Sequence, residues 1–182
     1  EESFEFRTVV DPIATFNYQP LPEQPVIKIV PGKPSHYVAV VPTLRRVNED
    51  FALKLKGEDK WGNPSDQCDV TYRLNSNVPV NNLPETVTFT PGEFAVEVPG
   101  LSVGQAGDVE IELLDDAGQV VTRANPLRIV EQTDLIPFWA DLHCQSEESI
   151  GTGSADEYFA FARDRAFVDA TGHQANDFQV TN

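Results

Sequence analysis

Phe51-Ala52-Leu53-Lys54-Leu55-Lys56 places a large apolar residue at every second position. That period turns Phe51, Leu53 and Leu55 toward one face of a strand and the intervening residues toward the other. The same period recurs in Val70, Tyr72 and Leu74, in Val87 and Phe89, and in Phe94, Val96 and Val98. It continues in Val109, Ile111 and Leu113 and ends with Leu127 and Ile129. The runs are short. Pro31-Gly32, Pro91-Gly92 and Pro99-Gly100 separate them with residues suited to type II turns, as do Asn63-Pro64 and Ala117-Gly118 with other breaks. Eight or nine such strands across residues 26–134 predict an antiparallel β-sandwich, immunoglobulin-like in size and spacing. Cys68 and Cys144 do not supply the Cys…Trp…Cys pattern of antibody domains, so the expectation concerns architecture alone. Upstream, Pro12, Pro20, Pro22 and Pro25 make residues 1–25 an extended lead-in, because proline fixes φ and removes a backbone donor.

The period changes after Glu131. Ile136 to His143 reads as a mostly apolar strand ending in polar groups, with Phe138 and Trp139 expected in the core. Ser154-Ala155-Asp156-Glu157 is a capping box, followed by Tyr158, Phe161, Ala162 and Arg165 at helical spacing. Phe167 to His173 is a second short strand. Strand, loop, helix and strand predict a βαβ unit with parallel strands, so residues 135–182 form a separate α/β region.

The 182 residues carry 13 Lys and Arg against 29 Asp and Glu, a formal net charge of -16. So acidic a chain is a poor partner for a nucleic-acid backbone or an anionic membrane. Purely apolar runs such as Tyr37–Val41 fall far short of the roughly 20 residues of a membrane span. No basic-then-apolar leader follows Glu1, and two distant cysteines set no redox compartment, so localisation stays open. The absence of methionine suggests a processed or partial chain.

His143 and His173 end the two predicted C-terminal strands. Parallel strands bring like ends to one edge, at a spacing of about 4.8 Å. Asp141 lies two residues before His143, on the same side of a regular strand. Glu148, in the following loop, is a further candidate ligand, as is Asp177. Imidazole and carboxylate donors together suit Zn²⁺, Mn²⁺ or Fe²⁺. His36 reads as structural. Trp61 reads as a turn residue with a packed ring in preference to a sugar platform, and Cys144 as a packing residue.

The string Phe138-Trp139-Ala140-Asp141-Leu142-His143, the Tyr158-to-Asp164 pattern Tyr-x-x-x-Ala-Arg-Asp and the strand ending in His173 resemble the opening of the PHP domain, the polymerase and histidinol phosphatase superfamily. Asp141 to Ser146, Gly151-Thr152-Gly153 and Gly172 to Phe178 look like an uncharacterised bacterial branch with a β-rich region before its PHP-like part. Asp59 to Pro64 looks like that β-rich region. The resemblance implies a distorted α/β barrel holding divalent metal at its C-terminal mouth, and hydrolysis of a phosphoester or related small-molecule ester by metal-activated water. His143 matches the first motif's metal-binding histidine and His173 that of the second. Gln145 stands where another histidine is usual, and Gly172 where an aspartate is usual.

The expected organisation is therefore a lead-in (1–25), a β-sandwich (26–134) and the first βαβ unit of an incomplete PHP-type barrel (135–182), its remainder supplied by the parent chain. On this expectation the parent is a metal-dependent hydrolase and the chain alone is inactive. The alternative is a non-enzymatic sandwich that binds a glycan or a protein, with a degenerate PHP-like tail.

Overall fold

The computed structural model describes residues 2–151 and 153–174. The protein is mainly β, with one short helix among the described residues. Its body consists of β5 (His36–Val40), β6 (Leu44–Arg46), β7 (Phe51–Glu58), β8 (Val70–Ser76), β9 (Thr86–Phe89), β10 (Val96–Leu101), β11 (Gly107–Val109), β12 (Ile111–Leu114), β13 (Val120–Arg123) and β14 (Leu127–Val130). They form sheets ordered β10-β7-β5, β11-β14-β6 and β13-β12-β8-β9.

The period-two residues meet in one core. Phe51, Leu53 and Leu55 from β7 join Val87 and Phe89 from β9, Ile111 and Leu113 from β12, and Leu127 and Ile129 from β14. Leu53, Leu55 and Leu113 have no exposed surface. Tyr37, Tyr72 and Phe89 close one end as an aromatic trio, with Tyr37 5.0 Å from Tyr72 and 5.1 Å from Phe89.

Several local expectations change. β6 pairs with β14 in parallel, so the body is not wholly antiparallel. Pro91-Gly92 forms the expected turn, with Gly92 at φ +93° and Glu93 N donating to Thr90 O. Pro99-Gly100 instead lies inside β10, where the register against β7 shifts between Val98 and Leu101. A proline cannot donate to the ladder, and a bulge accommodates it without ending the strand. Gly32 is not in the left-handed region. It lies against Asp59, whose Oδ2 accepts from Gly32 N at 3.2 Å.

The Asp59–Pro64 loop is built on that aspartate. Asp59 is 2% exposed, and its Oδ1 also accepts from Trp61 N (2.9 Å) and Asn63 N (3.0 Å). Trp61 itself is 73% exposed, contrary to the packed ring expected, because the loop closes on the carboxylate and leaves the indole outside. Lys60 Nζ sits 4.1 Å from the indole centroid. His36, paired to Glu58 on the neighbouring strand at 2.9 Å, has the structural place expected of it.

The lead-in is extended and paired. β1 (Glu2–Glu5) runs antiparallel to β4 (Val26–Ile29), and β2 (Val9–Val10) to β3 (Gln19–Pro20). This ribbon crosses the boundary expected at Val26, and the core begins downstream of it.

The C-terminal region contains β15 (Ala140–Cys144), α1 (Ala155–Phe161) and β16 (Ala170–His173), with β15 and β16 parallel. It meets the β body at Lys54 and Lys56 of β7 and at Phe94, whose ring lies 3.7 Å from the Arg165 guanidinium. Lys56 Nζ, on β7, donates to Arg165 O at 2.8 Å, and the buried Phe167 ring lies 5.3 Å from the same ammonium. Phe138 and Trp139, expected in the core, are 67% and 62% exposed. β15 starts only at Ala140, and a sheet of two described strands has little to cover those rings. No helix among the described residues is long and apolar enough to cross a membrane.

Candidate functional site

The parallel pair sets the geometry. Trp139 O accepts from Asp169 N and Ala170 N, which starts the ladder. Ala140 then stands opposite Ala170, and Asp141 opposite Thr171. One extra residue in β15 follows, and Cys144 comes opposite His173. A bulge of this kind re-aims side chains at the end of a strand. It also upsets the strict alternation that the sequence reading assumed between Asp141 and His143.

Asp141 folds back on its own strand. Its Oδ1 accepts from His143 N at 3.0 Å and its Oδ2 from the Cys144 thiol at 3.4 Å. The His143 amide, followed by the thiol, holds the Asp141 carboxyl below its ordinary value. Cys68 and Cys144 are both free thiols.

His173 is held by a residue that sequence reasoning missed. Ser146 is fully buried, and its Oγ shares a hydrogen bond of 2.8 Å with His173 Nε2. The same oxygen accepts from Glu148 N at 3.2 Å. Ser149 N and Gly151 N both donate to Ser146 O, which winds the loop around this serine. Gly151 is required there: a Cβ on it would lie 2.9 Å from backbone atoms of Gln145 and Ser146. The two loop glycines were the only sequence signal of so tight a turn, and neither marked the serine.

On the other flank stands α1, whose capping box forms as expected. Glu157 N donates to Ser154 Oγ, and Ser154 N donates back to the Glu157 carboxylate. The helix loosens into a π-helical turn at Ala162–Ala166 and ends at Phe167, in the left-handed region at φ +63°. Tyr158 reaches across to share a hydrogen bond with Thr171. Burial first, then the Cys144 thiol and the Asp141 carboxylate, raise the Tyr158 phenol above its ordinary value. Beside the helix lies an open cleft of about 430 Å³, lined by Gln145, Ser154, Glu157, Tyr158, Asp164 and Arg165.

The predicted ligands are thus brought to one end of the unit without being gathered. Asp141 meets the backbone of His143, and Ser146 joins His173 to the backbone of Glu148. Among the described residues no three His, Cys, Asp or Glu side chains are grouped to hold one ion. The donor types suit a divalent ion, and the described side chains would have to be drawn closer together to share one. Asp177 lies outside the described residues.

No family model and no curated protein matches the chain.

Proposed function

We propose that the chain belongs to a PHP-like, metal-dependent hydrolase. Its β body is read as an immunoglobulin-like sandwich and its βαβ unit as the start of the catalytic barrel. The observation that supports this reading is the parallel register. It sets Cys144 opposite His173 and so brings the Asp141-Leu142-His143 strand end and the His173 strand end to one edge. Ligand sites of α/β barrels lie at such edges. His143 and His173 are the proposed metal ligands, with Asp141 and Glu148 as carboxylate partners. In hydrolases of this kind a divalent ion polarises the ester and activates water. Each Asp141 oxygen accepts one hydrogen bond, from the His143 amide or the Cys144 thiol, and keeps a second lone pair for an ion.

Calorimetric titration of the chain with Zn²⁺ and Mn²⁺ tests the reading. The expected result is saturable binding that is lost in both His143→Ala and His173→Ala. Absence of binding, or binding undiminished in the two variants, overturns it.

A second reading has one observation in its favour. Trp61 is exposed on a loop fixed by a buried carboxylate, which suits a sandwich that binds a glycan through an aromatic face. It requires glycan-array binding that disappears in Trp61→Ala and is indifferent to His143→Ala.

A further inference from the structure

Ser146 stands between two of the proposed ligands. Its Oγ meets His173 Nε2 at 2.8 Å and accepts from the Glu148 amide at 3.2 Å. A serine hydroxyl has one proton and two lone pairs. The Glu148 amide uses one lone pair, and the other remains to accept a proton from Nε2. Both ends of this bond are tied down. Ser146 N donates to Ser149 Oγ at 3.3 Å, and Ser149 Oγ donates to Ser146 O at 3.1 Å. Just past His173, Gln174 N donates to Cys144 O at 2.9 Å and the Gln174 side-chain amide to Leu142 O at 2.6 Å, which pins this end of β16 to β15. Ser146 is fully buried, so bulk water does not compete with it for the ring. Among the described residues it is the one side chain hydrogen-bonded to the His173 imidazole.

On the metal-dependent reading above, on which this assignment rests, we propose that Ser146 is a positioning residue. It holds His173 by Nε2 and so leaves Nδ1 as the nitrogen offered to a divalent ion. An imidazole ligates through a nitrogen that carries no proton, and the neutral ring has a single proton to place. Ligation by Nδ1 therefore requires that proton on Nε2, where it faces an oxygen with a lone pair to spare. Ligating histidines ordinarily donate from their second nitrogen to such a partner, which fixes both the tautomer and the orientation of the ring. Ligation by Nε2 would instead break the bond to Ser146 and require the ring to turn away from it. Because the same oxygen takes the Glu148 amide, one hydroxyl also ties the loop bearing one proposed ligand to the strand end bearing another.

Long-range proton–nitrogen correlation spectra of the isotope-labelled chain, recorded as Zn²⁺ is added, test this on the unmodified protein. The His173→Gln variant assigns the ring signals. The expected result is a His173 ring protonated on Nε2, with the shift of a bound metal on Nδ1. In Ser146→Ala the Zn²⁺ affinity should fall by about 10- to 100-fold, with circular dichroism unchanged and the metal-shifted signal divided between the two nitrogens. Zinc on Nε2 of the unmodified chain overturns the role of Ser146 and leaves the metal reading standing. So does a Ser146→Ala chain that binds as tightly as the wild type and still through Nδ1. If Zn²⁺ does not bind, or binds without moving the His173 ring signals, the metal reading fails and the role of Ser146 falls with it.

Discussion

Asp59 is buried, charged and surrounded by donors. Burial alone would raise its pKa, but the Asn63 side chain and the amides of Asn63, Trp61 and Gly32 outweigh it and hold the carboxyl at about 2, against an ordinary 3.8. The sign follows from linkage. A group depressed in the folded state contributes stability that is complete above its unfolded value and is lost as pH falls through the folded one. The contribution of Asp59 should therefore fade between about pH 4 and pH 2. Thermal melts of the wild type and Asp59→Asn across this range give the measurement. The two melting temperatures should converge as pH falls, and parallel curves would refute the role given to Asp59. At the same scale, His173 was legible as a strand-end histidine, but its partner was not. A serine in a polar loop carries no mark of burial until the chain around it has closed.

Among the elements, α1 was the most legible. A capping box is a contact between residues three apart, so sequence specifies it before any tertiary packing exists. Ser154→Ala should cost about 1 kcal/mol of local stability. A seven-residue helix opens locally before the body unfolds, so the loss should appear as faster amide exchange across Ala155–Phe161. Unchanged exchange there would mean that packing, not the cap, holds the helix. Strand limits were less legible than the helix start. Pro99-Gly100 reads as a turn in sequence and became a bulge, because pairing with β7 resumes at Leu101 opposite Phe51. The β15 bulge is similar in kind. An extra residue is visible only against the strand it pairs with, and that partner lies some 30 residues away.

At the scale of the molecule, the βαβ unit meets the body around Phe167 and Arg165, against Lys54, Lys56 and Phe94. Phe167 is buried, and Lys56 is the cation that donates to the Arg165 carbonyl. Phe167→Ala should cost about 3 kcal/mol, concentrated in this joint. Limited proteolysis should then cut at residues 131–139 while the β body stays resistant. Equal resistance in wild type and variant would show that other contacts carry the docking. What sequence alone determined was local or periodic: the mainly β body from period-two burial, the parallel βαβ unit from strand, cap and helix in order, and both strand-end histidines. These follow from side-chain alternation and near-neighbour hydrogen bonds, which each segment carries within itself. The tertiary structure alone decided the parallel β6–β14 pairing, the exposure of Phe138 and Trp139, and the Ser146–His173 hydrogen bond. Each depends on which distant segment lies opposite, and no local pattern encodes the identity or the absence of that neighbour.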